Sequence, residues 1–123
     1  MERPQAKDGA MTTSFSEADF RSEVQRTLAR VEKAFDGVDP DVAECTVQFG
    51  ALSIQLASGA KCILSAQPSV RQLWLALAAR GVAYHFNWEP GRGLWLDDKG
   101  AGIEVLGLLE RVLREDARLE IRF

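Results

Sequence analysis

Residues 44–56 read ECTVQFGALSIQL, and this stretch decides the fold. Apolar Cys45, Val47 and Phe49 alternate with Glu44, Thr46 and Gln48, and Leu52, Ile54 and Leu56 alternate with Ser53 and Gln55. A period of two is the pattern of strands with one buried face. Gly50 between the runs predicts a turn, so the two strands form an antiparallel hairpin. Ala57-Ser58-Gly59-Ala60 predicts a second turn, followed by a third strand from Lys61 to Ser65.

Outward from this core the same period returns. After Gln67-Pro68-Ser69, Leu73, Leu75 and Leu77 alternate with Gln72, Trp74 and Ala76. Val82 to Asn87 predicts a fifth strand, and Pro90-Gly91-Arg92-Gly93 turns the chain into a sixth, Leu94 to Leu96. On either side the period becomes helical. Phe20, Val24, Leu28, Val31 and Phe35 recur at steps of three or four, as do Ile103, Leu106, Leu109 and Leu113. Ser14 and Glu17 have the spacing of a capping box for the first helix, Gly37 suits its C-terminal exit, and Pro40 prevents continuation. The tail from Leu119 to Phe123 alternates and is expected to be extended. Two amphipathic helices and a sheet with one apolar face predict an α+β two-layer sandwich, with both helices on one face of an antiparallel sheet of about six strands. Residues 1–13 read as a flexible tail and 14–123 as one domain.

Composition excludes several classes of function. The 123 residues are 46% hydrophobic and 27% charged, which is ordinary for a globular domain. No apolar run approaches the roughly 18 residues of a membrane span, and the polar start lacks a secretory core. Two cysteines, Cys45 and Cys62, predict reduced thiols and a cytoplasmic protein; Cys45, in phase with Val47 and Phe49, is expected to be buried. Residues 14–50 carry eight acids and four bases, the opposite of a nucleic-acid footprint. No nucleophile triad, phosphate loop or zinc-ligand spacing is present, so the chain does not read as an enzyme.

Two constellations stand out. Glu32, Asp36, Asp39, Asp41 and Glu44 fall close together, and carboxylates alone suit hard, oxygen-seeking cations. Glu32 and Asp36 share a helix face near its C-terminus, where like charges repel and the helix dipole favours cations. Asp19 and Glu23 are weaker candidates, because Arg26 and Arg30 follow on the same side. Clusters of this kind are otherwise solvated surface. The second constellation is Trp74, which the phase of Leu73, Leu75 and Leu77 sends to the open sheet face with Gln72, Ser53 and Gln55. An exposed Trp among Gln and Ser either covers its neighbours or anchors a partner. Trp88 and Trp95, flanking the Pro90–Gly93 turn, read as a cross-strand pair. His85 reads as an outward strand residue or an auxiliary ligand.

The element order, the stretch QPSVRQLWL at 67–75, GVAYHF at 81–86 and WLDD at 95–98 resemble the frataxin family, its bacterial branch in particular, over roughly residues 15–123. The resemblance implies weak binding of ferrous or ferric iron on an acidic ridge along the first helix and first strand, with other divalent cations able to substitute. It also implies docking on cysteine desulfurase and the iron–sulfur scaffold protein through the Trp74 face. Because carboxylates favour the ferric ion, a weak side activity of iron oxidation is compatible with the ridge. The ridge is thinner than the family pattern, with Val42 and Thr46 at positions where acids are common. The alternative is an interaction adaptor that keeps the fold and the Trp face and binds little iron. Neither a nucleic-acid nor a membrane partner is expected.

Overall fold

A computed structural model of the chain describes residues 15–123; the expected tail at 1–13 and Ser14 lie outside the described residues. The elements are α1 (Glu17–Ala34), β1 (Ala43–Gln48), β2 (Ala51–Leu56), β3 (Lys61–Gln67), β4 (Gln72–Leu77), a 3-10 turn at Ala78–Arg80, β5 (Val82–Glu89), β6 (Leu94–Asp97) and α2 (Val105–Ala117). The six strands form one antiparallel meander in sequence order, as the alternation predicts. No described helix is long and apolar enough to cross a membrane.

Helix α1 starts two residues later than the Ser14–Glu17 spacing suggests. Ser16 is its N-cap: the Ser16 hydroxyl accepts from Asp19 N–H (3.0 Å) and the Asp19 carboxylate accepts from Ser16 N–H (3.2 Å). Phe15, just before the cap, packs edge-on against Phe20 with centroids 6.2 Å apart, a hydrophobic staple that sets the entry angle. The predicted stripe of Phe20, Val24, Leu28, Val31 and Phe35 is buried. Gly37 does not serve as a left-handed exit. The helix instead closes at Phe35 in right-handed geometry, with N–H groups of Phe35, Asp36 and Val38 bonding three residues back. Helix α2 begins at Val105, later than its apolar period, because the Glu104 carboxylate accepts from Leu106 and Gly107 N–H (2.8 and 2.9 Å).

The core lies between the helices and the residues Leu52, Ile54, Leu64, Leu73, Leu75 and Phe86, each 0% exposed. Trp95 joins it from β6. Its indole N–H donates to Thr27 Oγ (3.0 Å), and that hydroxyl donates to Glu23 C=O (2.8 Å), so the buried polar pair is satisfied. Trp88 faces Trp95 across the ladder, rings edge to face at 5.3 Å. The segment 119–123, which forms no strand, closes the other side: Phe123 N–H donates to Glu110, Arg30 Nε donates to Phe123 C=O, and Phe123 packs near Phe35.

Strand β1 departs from its pattern. Ala43 is buried, but Cys45 is only half-buried, Val47 is 38% exposed and Phe49 is 97% exposed. The alternation is real, but β1 is an edge strand and its far half lies beyond the cover of α1. Phe49 (φ 52°) and Gly50 (φ 75°) form a two-residue hairpin turn with both angles positive, the type I′ geometry that matches strand twist.

Asp97 organises the loop into α2. Its carboxylate accepts from the N–H groups of Ile103 (2.8 Å), Ala101 (3.1 Å) and Lys99 (3.2 Å). These bonds, Ile103's first, hold its pKa below the ordinary carboxylate value. A depressed pKa contributes stability above the unfolded-state value that is lost as pH falls through the folded-state value. Asp97→Asn should therefore lower stability near neutrality and flatten the acid limb of the stability–pH curve, read by denaturant melts from neutral to acidic pH. An unchanged acid limb would contradict this role.

Candidate functional site

The sheet face away from the helices carries the Trp74 constellation. Register places Gln48, Ala51, Ser65, Trp74 and His85 in one row across β1 to β5, and Gln67, Gln72 and Asn87 in the next. Trp74 lies opposite Leu73 and Leu75, as the phase predicts, yet it is part-buried and does not project freely. Its ring stacks on the His85 imidazole with centroids 4.2 Å apart and planes 18° from parallel. Its indole N–H donates to Gln72 Oε1 (2.9 Å), while Gln72 Nε2 donates to Asn87 Oδ1 (3.2 Å) and Asp98 Oδ2 (3.3 Å). Asp98 also approaches His85 Nδ1 at 3.7 Å. The indole is thus held in one orientation by neighbours from β4, β5 and the loop after β6.

His85, Asn87 and Asp98 are the members of this cluster that sequence reasoning missed or left undecided. His85 stands directly across from Trp74, which only the register of β4 on β5 reveals. Ser53 and Gln55 lie on the same face but are separated from Trp74 by β3.

The five ridge carboxylates are all exposed. Glu32 lies in the last turn of α1, but the helix closes at its C-cap Phe35, so Asp36 stands just past its end and not on the helix face expected for it; Asp39 and Asp41 lie in the following loop, and Glu44 on β1. Asp39 Oδ1 accepts from Asp41 N–H (2.9 Å), so one carboxylate is used locally. Among the described residues, no three His, Cys, Asp or Glu side chains converge on a common point that could hold a metal. The carboxylates therefore form an open ridge instead of a cage. Asp19 is engaged in the helix cap, and Glu23 pairs with Arg26 (3.2 Å). Glu32 and Asp36 form no ion pair among the described residues and both lie at the C-terminal, negative end of the helix dipole, so Asp36→Asn or Glu32→Gln should stabilise the fold by about 0.3 kcal/mol. Thermal melts at low salt read this; a clear loss of stability in both variants would show that the carboxylates are paired.

Both cysteines are free. Burial pushes the Cys62 thiol up to about 11, with Asp116 adding to it and Arg80 opposing. Burial and the nearby Glu32 carboxylate push Cys45 up to about 11 as well. Neither is an activated thiolate. Arg80 grips Asp116 through Nε and a terminal nitrogen (3.1 and 2.8 Å) and reaches Glu115 (3.0 Å), tying the 3-10 turn to the end of α2.

The described residues thus form a helix–meander–helix α+β sandwich with an open, Trp-bearing sheet face and an acidic edge. The residues 13–119 match the profile of the frataxin-like domain, and the chain belongs to that family. It is 39% identical over 111 residues to the iron-sulfur cluster assembly protein CyaY of Stutzerimonas stutzeri, covering 89% of this chain and 96% of that one. It is 37% identical over 113 residues to the CyaY of Ectopseudomonas mendocina, with the same coverage. Among solved structures, the frataxin of Psychromonas ingrahamii superposes with a TM-score of 0.77 at 18% identity, over 87% of this chain and 96% of that one. Trimeric frataxin from the yeast Saccharomyces cerevisiae, in a ferrous complex, superposes with a TM-score of 0.58 at 18% identity, over 87% of this chain and 90% of that one.

Proposed function

We propose that this protein serves iron–sulfur cluster assembly as a binding partner: it docks on the cysteine desulfurase and its scaffold through the Trp74 face and carries iron weakly on the acidic ridge. The relatives named for cluster assembly support the pathway, and the yeast frataxin in a ferrous complex supports the cargo. The observation that carries the docking role is the immobilised Trp74. A large aromatic held by stacking on His85 and a hydrogen bond to Gln72 on the open sheet face loses little conformational freedom on binding, so more of its burial appears as affinity. Iron is cargo on this reading. Open carboxylates with water completing the shell give modest affinity and little selectivity, so other divalent cations compete and salt weakens binding. Any ferroxidase activity would be a consequence of carboxylates favouring the ferric ion.

The absence of a convergent carboxylate set among the described residues favours one second reading, an adaptor that uses the Trp74 face and binds little physiological iron. An anaerobic ferrous titration separates the two. Binding by the wild-type chain that is greatly weakened when Glu32, Asp36, Asp41 and Glu44 are replaced by their amides supports the iron-carrying reading. Iron-induced NMR broadening that stays centred on Asp36 and Glu44 in the amide variant would contradict the assignment, and no binding by the wild type would leave the adaptor.

A further inference from the structure

The two edges of the sheet are treated differently. At β6 the edge is short and closed: Leu96 bridges to Glu104, and Asp97 N–H donates to Ile103 C=O (2.9 Å). At β1 the edge is six residues of regular strand with no proline, lysine or bulge, the features by which proteins blunt such edges. Beyond it stands Phe49, 97% exposed at a turn position with φ 52°, where Asn or Gly is preferred. A bulky aromatic there meets neither the backbone preference nor the tendency to bury apolar surface.

The direction of the free hydrogen-bonding groups follows from the ladder. Ala57 N–H donates to Val42 C=O, whereas Ala43 N–H turns away to Asp39 C=O (3.0 and 3.2 Å). Antiparallel pairing alternates, so Glu44, Thr46 and Gln48 bond to β2, and Cys45 and Val47 direct both N–H and C=O outward.

We propose that β1 is a self-recognition edge, on which a second copy of this chain pairs antiparallel about a two-fold axis at Thr46. In that register Cys45 of each copy faces Val47 of the other, and the N–H and C=O groups of these two residues are satisfied on each strand. No shifted register does this, because Ala43 N–H is already occupied and Phe49 lies in the turn. The same register matches the side chains. Cys45 and Val47 meet on the helix side, and Phe49 comes opposite the other copy's buried Ala43, next to Val42, which is 38% exposed. On the open side Glu44 meets Gln48, an amide that can donate to it. The two Glu44 carboxylates lie four residues out of step, about 14 Å apart at the strand rise, beyond the Debye length of about 8 Å at physiological salt. The contact is smaller than the roughly 1,600 Å² of a standard interface, so the dimer forms only at high concentration. This inference is independent of iron and of the desulfurase.

Sedimentation velocity over a concentration series up to the solubility limit tests it. The wild type should move from a 13.6 kDa species towards twice that mass, with physiological salt failing to disperse it. Val47→Pro removes only an outward donor, a position an edge strand tolerates, and should stay monomeric with its circular dichroism unchanged. Phe49→Asn suits the turn better and should fold well while weakening the dimer at least tenfold. With Cys45 and Cys62 changed to alanine, Thr46→Cys should form an intermolecular disulfide on mild oxidation, since non-bonded antiparallel pairs bring Cα atoms to about 4.5 Å. A wild type that stays monomeric throughout overturns the proposal. So does a dimer that Val47→Pro and Phe49→Asn leave intact, or one in which the Thr46→Cys disulfide fails to form.

Discussion

Trp95→Ala is expected to lower the unfolding free energy by about 3–5 kcal/mol, the range for a core Trp truncation. Trp95 is 2% exposed and packs against Phe20 and Trp88, with Phe15 beside them. The substitution empties the junction of α1, β6 and the hairpin and removes the indole donor to Thr27. For a domain whose total stability is about 5–15 kcal/mol, that loss is large, and the melting temperature should fall by more than about 10 °C. Denaturant and thermal melts read it directly. A loss below about 1 kcal/mol would mean that the cluster repacks around the vacancy.

Trp74→Ala is expected to behave in the opposite way. Trp74 is part-buried on the open face and packs on His85 without entering the core, so its removal should cost about 1 kcal/mol of stability. Affinity for a desulfurase–scaffold complex should fall by about 2 kcal/mol, a factor of about thirty. Equilibrium titration of the variant against that complex is the measurement. Unchanged affinity with a folded variant would remove the docking role and leave the fold description standing.

The contrast between these tryptophans was partly legible in the sequence. The phase of Leu73, Leu75 and Leu77 sends Trp74 outward, and the structure agrees. The pairing of Trp88 with Trp95 followed from their position either side of a tight turn. What the sequence could not supply was cover. Val47 and Phe49 carry the same apolar alternation as Leu52 and Ile54, and only the reach of α1 over the sheet makes one pair buried and the other exposed. The capping serine was misplaced for a local reason: residues 14–19 contain two overlapping Ser-x-x-acid spacings, Ser14–Glu17 and Ser16–Asp19, and the Phe15–Phe20 staple goes with the second.

The site was legible only in its anchors. Gln72 and Trp74 came from strand phase, and the ridge acids from their proximity in sequence. The contacts that hold the indole in place join β4 to β5 and to Asp98, residues 11 to 26 positions away from their partners in the chain. Such contacts exist only once the register of the ladder is set. The same register explains why Ser53 and Gln55, correctly placed on the open face, do not touch Trp74.

The most direct test of the proposed docking role is an NMR titration of the isotopically labelled chain with an unlabelled desulfurase–scaffold complex. Broadening and shift changes should centre on Gln72, Trp74, His85 and Asn87 and extend to the ridge at Asp36 and Glu44, with the exposed side of α2 spared. Perturbations centred on α2, or no perturbation of the Trp74 indole N–H while the complex forms, would contradict it.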